Sequence, residues 1–186
     1  MSLTTQGERT ARFACSALFM VAFACDAFGQ DNKVERSRAR IEKEVRHEIL
    51  MQPRLDVFDN ITFRVDGYNV TLMGQVTLPV LKASIEKVVK DIEGVEKVDN
   101  RIEVLPVSPN DDRLRISVYR AIYGFPALQR YALPVIRPIR IIVKNGHVTL
   151  EGVVNREADK NVANVRANSV QGVFSVTNHL RVEQGS

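Results

Sequence analysis

The side chains best suited to metal or covalent chemistry in this 186-residue chain are three histidines, His47, His147 and His179, and two cysteines, Cys15 and Cys25. A metal site needs ligands that converge. The histidines fall in a helical, a hairpin and a strand segment, and no two share a metal-type spacing. Both cysteines lie in one N-terminal apolar run. A chain that has lost this run has no thiolate to act as nucleophile, disulfide partner or metal ligand. No G-x-S-x-G, P-loop or G-x-G-x-x-G is present. The acidic residues are scattered along helix faces, as in "DIEGVEK" (91–97). No enzyme is expected, and neither a metal nor a cofactor. The formal net charge of +4 permits attraction to an acidic surface. The sequence lacks the G-x-x-G clamp of KH domains and an RNP-like aromatic strand, so nucleic acid is not an expected partner.

One stretch combines residue types that suit a lipid headgroup layer. "YGFPALQRYALPVIRPIR" (123–140) sets Tyr123, Phe125 and Tyr131 beside Arg130, Arg137 and Arg140. Aromatic rings settle at membrane interfaces, and each arginine near an anionic surface adds about 1 kcal/mol. On this reading Phe125 and Tyr131 enter the interface while Arg130 and Arg137 hold phosphates. The other reading makes the stretch a long loop whose Phe125 and Leu133 plug the core. Both stay open at this point.

The elements that must position these residues come in two copies. "VTLMGQV" (70–76) returns as "VTLEGVV" (148–154), and "GVEKVDNRIEV" (94–104) as "GVFSVTNHLRV" (172–182). Gly74 and Gly152 stand 78 residues apart, as do Gly94 and Gly172. Two copies at that spacing indicate duplicated small domains rather than a solenoid. In the first copy Ile41, Val45 and Ile49 predict a helix over 37–50. "ITFRV" (61–65), an Asp-Gly turn and "NVTLMGQV" (69–76) predict a hairpin. Thr77 is expected to cap a helix with the stripe Leu81, Ile85, Val88 and Ile92. Gly94 ends it before a third strand at 98–104. The second copy repeats the order, with Leu114, Val118 and Ile122 on its first helix and Asn145-Gly146 at its hairpin tip. Asn155 stands in the capping position, Ala158, Val162 and Val165 form the second helix's stripe, and 176–183 is the last strand. "PVSPND" (106–111) reads as the linker.

The expected fold is α+β: two α-β-β-α-β domains, each a three-stranded mixed sheet covered by two helices. The repeated positions have structural roles. Gly94 and Gly172 close helices at positive φ. Gly74 and Gly152 mark a close approach inside a strand, expected to be that of a helix. Asn100 and Asn178, the repeated polar side chains of the motif, can bridge backbone groups but cannot serve as base or nucleophile.

These repeated motifs resemble the BON domain, a family named for osmotically induced periplasmic protein Y and nodulation proteins. The resemblance covers 36–105 and 111–183. It implies an exported bacterial envelope protein without a catalytic set, and some members bind anionic phospholipid through one BON domain. The partner expected for this chain is an anionic phospholipid surface or an envelope protein, the second case making it an adaptor or stress-protective structural protein. The oligomeric state is left open by the sequence. The N-terminus agrees with export: Arg9 and Arg12 precede the apolar run 13–25, and Ala27 and Gly29 offer a signal-peptidase site, which assigns 1–29 to a signal peptide. Its removal leaves the net charge at +4. The alternative is a lipoprotein anchored through Cys25.

Overall fold

Ile41, Val45 and Ile49 share one helix face, and in the computed structural model they form the buried stripe of α1 (Phe23–Leu50). The structure describes residues 23–183, with side chains from Glu35 onward. Residues 1–22 of the predicted signal peptide lie outside the described residues. α1 begins upstream of the predicted Ser37. The helix hands over to β1 (Asn60–Asp66), which turns at Gly67 and returns antiparallel as β2 (Asn69–Val76). α2 (Pro79–Lys90) then crosses back so that β3 (Lys97–Val104) runs parallel to β2. Sheet order is β1-β2-β3. Leu81, Ile85 and Val89 of α2 join the α1 stripe and Val70, Leu72 and Val76 of β2 in one core.

The second domain repeats this path. α3 (Pro109–Tyr123) leads through a 3-10 helix (Pro126–Tyr131) to β4 (Ile139–Lys144) and β5 (His147–Val154). α4 (Glu157–Asn168) returns the chain to β6 (Ser175–Asn178) and β7 (Arg181–Val182). The last strand is thus split, and both pieces run parallel to β5. Asn145 and Gly146 both take positive φ, 53° and 78°, as a two-residue hairpin requires. The architecture is α+β, with two mixed sheets each covered by two helices.

Several expectations change in detail. α3 starts at Pro109, inside the predicted linker, because Ser108 caps it by accepting the Asp111 N–H and Pro109 suits the first turn. The buried stripe of α4 is Asp159, Ala163 and Ala167; of the predicted Ala158, Val162 and Val165, Val162 packs half-buried against the core, while Ala158 is exposed and Val165 is 64% exposed. Small alanines let α4 sit close to the sheet. Thr77 does not cap α2. Its N–H and hydroxyl both donate to Asp59 Oδ1, at 2.7 and 2.9 Å. Asn155 does not cap α4, and its N–H donates to the Tyr131 hydroxyl at 2.8 Å. The approach at Gly74 and Gly152 comes from the neighbouring strand rather than a helix. A Cβ on Gly74, at φ 116°, would lie 2.0 Å from the Asn60 carbonyl oxygen, and one on Gly152, at φ 123°, would lie 1.8 Å from that of Pro138.

The two domains interlock. Val57, on the segment between α1 and β1, is buried in the core of the second domain with Ile139, Ile141 and Tyr123. Its carbonyl accepts the Ile141 N–H at 2.9 Å, and Arg140 Nη1 donates to the Asp56 carbonyl at 2.7 Å. Phe58 meets Tyr119 edge-on, centroids 6.3 Å apart. The Lys144 ammonium pairs with Glu103 across the same junction. The first domain therefore fills a gap in the second and covers its β4 edge.

Val57→Asp is expected to destabilise the protein by about 3 kcal/mol or more, because it places an unpaired charge in an apolar site, whereas Val57→Ala should cost about 1–2 kcal/mol. Urea unfolding followed by tyrosine emission reads both. An unchanged midpoint for the aspartate variant would show that the segment does not seal the second core.

Candidate functional site

The repeated asparagines tie helix to strand. Asn100 Nδ2 donates to the Lys82 carbonyl of α2 at 3.0 Å, while its Oδ1 accepts the Ile102 N–H at 3.1 Å. Asn178 makes the equivalent bonds to the Lys160 carbonyl and the Leu180 N–H, at the same distances. Asn100 Nδ2 also donates to Glu86. A hydrogen bond from Lys90, and next that from Asn100, hold the Glu86 carboxyl below its usual range. Gly94 and Gly172, at φ 92° and 93°, end the turns that follow α2 and α4. The opening stretches of the repeat thus assemble joints of the fold.

The five residues assigned to lipid contact do not form one surface. Tyr123 is buried, and its hydroxyl donates to the Ile139 carbonyl at 2.6 Å. Burial raises its pKa. Tyr131 is also buried. Its hydroxyl donates to Asp159 Oδ2 at 2.7 Å and accepts the Asn155 N–H at 2.8 Å. Burial is again the first cause of its raised pKa. Both rings belong to the second core, so Tyr131 is not placed to enter a bilayer as expected. Phe125 is half-buried, with the Arg166 guanidinium 5.0 Å from its ring centroid. Arg137 lies 5.5 Å from the Tyr119 ring and 6.0 Å from that of Tyr123. Arg130 is exposed and stands over Tyr131, with Nη2 3.9 Å from Asp159 Oδ1.

The apolar exposure lies elsewhere on the same stretch. Leu128 and Tyr131 plug the core from the 3-10 helix and Phe125 packs against it, whereas Leu133 does not. The chain then runs irregularly from Ala132 to Pro138. There Leu133 is 83%, Val135 97% and Ile136 46% exposed. Pro134 and Pro138 explain why: neither has an N–H for a helix or ladder, so the apolar residues around them have no element to pack them. That spacing of prolines was the available signal in the sequence. Arg130 precedes this tip and Arg137 follows it. Along the chain the tip thus follows an exposed arginine and precedes a half-buried one.

Nothing at the histidines suggests a shared ligand. His147 Nδ1 meets Ser175 Oγ at 2.7 Å, His179 Nδ1 meets Glu151 Oε1 at 2.7 Å, and His47 is exposed on α1. Among the described residues no three His, Cys, Asp or Glu side chains are grouped to hold a metal. Among them, no helix is long and apolar enough to cross a membrane.

The sequence profile of the BON domain matches residues 37–106 and 129–184. The chain belongs to the BON domain family. It carries two BON domains in tandem, and the family is generally non-catalytic. The second match begins within the 3-10 helix and leaves out α3, so it omits part of the stretch where the two copies differ most. Two solved structures of CdsD, a structural protein of the type III secretion system of Chlamydia trachomatis, are similar to the chain. One is 15% identical, covering 78% of this chain and 94% of that one with a TM-score of 0.28. The other, its C-terminal domain, is 16% identical, covering 76% and 96% with the same TM-score. A score that low carries neither fold nor role across. No curated protein matches the sequence significantly.

Tyr131→Phe is expected to lower stability by about 1–3 kcal/mol, since it removes the hydroxyl that bonds the buried Asp159 carboxylate and accepts the Asn155 N–H. Thermal or urea unfolding of the variant checks this. A variant as stable as the parent would mean that water replaces the hydroxyl and that the bond pair is not a constraint on the second BON domain.

Proposed function

We propose that this BON protein is a non-catalytic, exported binding module of the cell envelope, and that it contacts anionic phospholipid through its second BON domain. The observation that supports this reading is the tip at 133–136. Three large apolar side chains stand in solvent between Arg130 and Arg137, on a stretch that is irregular and free of ladder hydrogen bonds. Single exposed apolar residues are ordinary, but a run of them at a protruding point usually meets something. Leu133, Val135 and Ile136 can enter the boundary between headgroups and acyl chains. Arg130 is placed to take a phosphate. Arg137, steadied by two tyrosine rings, carries a second charge close behind. The inserting residues are thus not the aromatic ones expected from composition, while the flanking arginines are the same.

Apolar insertion and charge act together at such a surface, and neither alone gives durable attachment. Export rests on the N-terminal apolar segment and its small-residue site. A lipid anchor at Cys25 would add a second attachment to the same membrane. The family's generally non-catalytic character fits a module that recognises a surface and leaves it chemically unchanged.

The purified protein is expected to sediment with phosphatidylglycerol vesicles and not with phosphatidylcholine vesicles, with retention falling as ionic strength screens the arginines. Leu133→Asp/Val135→Asp should weaken retention about tenfold or more, equivalent to ~1.4 kcal/mol, without altering the melting curve. Equal retention on both vesicle types, or a double variant that binds like the parent, would overturn the assignment of the tip.

A further inference from the structure

Among the described residues β1 is paired on one side only. The order β1-β2-β3 gives its inner edge to β2 and leaves its outer edge without a strand. Residues 60–65 of β1 line a cleft of about 880 Å³ between the two BON domains. At the rise of a strand these six residues offer about 20 Å of edge. α1 forms one wall. Ile136, Arg137, Pro138 and Arg140, part of β5 and the corner between β6 and β7 form the other.

Six arginines line this cleft: Arg38 and Arg46 from α1, Arg64 from β1, and Arg137, Arg140 and Arg181 from the second domain. Among the described residues only two carboxylates, Glu42 and Glu151, line it with them. Glu42 is taken by Arg38 and Glu151 by His179. Arg140 is spent on the Asp56 carbonyl. Among the described residues, Arg46, Arg64, Arg137 and Arg181 have no side-chain or carbonyl acceptor, and the Nε of Arg137 is buried without one. Six guanidiniums against two carboxylates leave an excess of four positive charges in one groove, as large as the formal net charge of the entire chain.

We infer that the cleft binds an extended acidic peptide segment of a partner protein, which adds to β1 as a fourth strand. This surface meets the tip proposed to contact lipid only at Ile136 and Arg137; Leu133, Val135 and Arg130 lie outside it. An open edge supplies backbone donors and acceptors to any strand, and charge decides which strand is admitted. On β1, Ile61, Phe63 and Val65 face the core and Arg64 faces out. A strand added beside it would meet Arg38 and Arg46 on the α1 side and Arg64 on the outer side. Acidic residues are therefore favoured on both faces of the incoming segment. A second copy of β1 is disfavoured, since it would bring Arg64 against like charge. A free oxyanion could occupy the arginines but would leave the edge amides of β1 unpaired.

The test uses the full chain and a fluorescein-labelled hexapeptide, acetyl-EETVEE-amide, with acetyl-QQTVQQ-amide as the neutral control. Anisotropy should show binding that weakens with salt and is at least tenfold weaker for the control. Amide exchange should slow within 60–65 on binding. Arg64→Glu/Arg181→Glu should abolish binding with an unchanged melting curve; if that pair unfolds, Arg46→Glu alone serves and should weaken binding about tenfold. Leu133→Asp/Val135→Asp should bind the peptide normally, which separates this site from the lipid tip. The inference is overturned if neither peptide binds, if both bind equally, or if β1 amides are not protected. It is also overturned if tripolyphosphate or phosphatidylglycerol vesicles occupy the cleft in an Arg64-dependent way and the acidic peptide does not.

Discussion

Val57 is the point on which the arrangement of the two domains depends. It leaves the first BON domain, enters the core of the second, and gives its carbonyl to the Ile141 N–H. Each domain is small, and a three-stranded sheet with two helices buries barely enough surface to stand alone. β4 is also an edge strand whose backbone groups need partners. One short segment meets both needs, filling the second core and pairing the start of β4. Asp59 keeps that segment in place. It is almost fully buried, and its Oδ1 accepts both the N–H and the hydroxyl of Thr77 while its Oδ2 accepts the Asp56 N–H. The position of the second domain thus follows from a carboxylate in the first.

The two copies show what duplication retains and what it releases. The asparagine that ties helix to strand keeps the same bonds and distances in both. The strand glycines keep the same close approach to a neighbouring carbonyl. The N–H of the residue after the hairpin needs an acceptor in both copies, and the solutions differ. Thr77 uses Asp59, whereas Asn155 uses the Tyr131 hydroxyl, itself bonded to Asp159. The difference tracks the segment between first helix and hairpin. In the first copy it reaches into the neighbouring domain. In the second it forms a 3-10 helix and then the exposed tip. Structural bonds are conserved where the chain must close on itself, and the connections are free to face outward.

The two proposed binding surfaces arise from those connections and from the angle between the domains. Burial confines Tyr123 and Tyr131 to the core, so the aromatic residues of the second-domain stretch hold its base in place rather than serving as its contact surface. The exposed residues are aliphatic, held out of the fold by two prolines. The arginine-rich cleft exists only because α1, β1 and the second sheet's corner are brought to one groove.

The duplicated α-β-β-α-β order was legible in the sequence because helix and strand periodicity, Asn-Gly and helix-ending glycines are local signals that recur at a fixed spacing. Gly94, Gly172, Asn100 and Asn178 could be read as structural for the same reason: they sit at the same step of a repeated path. Local signals do not report which side chains share a core. Tyr131 and Leu133 are two residues apart and equally apolar in outline, yet only tertiary packing turns one inward to Asp159 and leaves the other in solvent. The same holds for the stripe of α4, where the fit against the sheet selects alanines over Val165. The six arginines of the cleft are spread from residue 38 to 181, and no spacing announces them as neighbours. Periodicity is written along the chain, so the sequence determined the elements and their order. The surfaces depend on contacts between segments far apart in the chain, and only the packing of the two domains decided those.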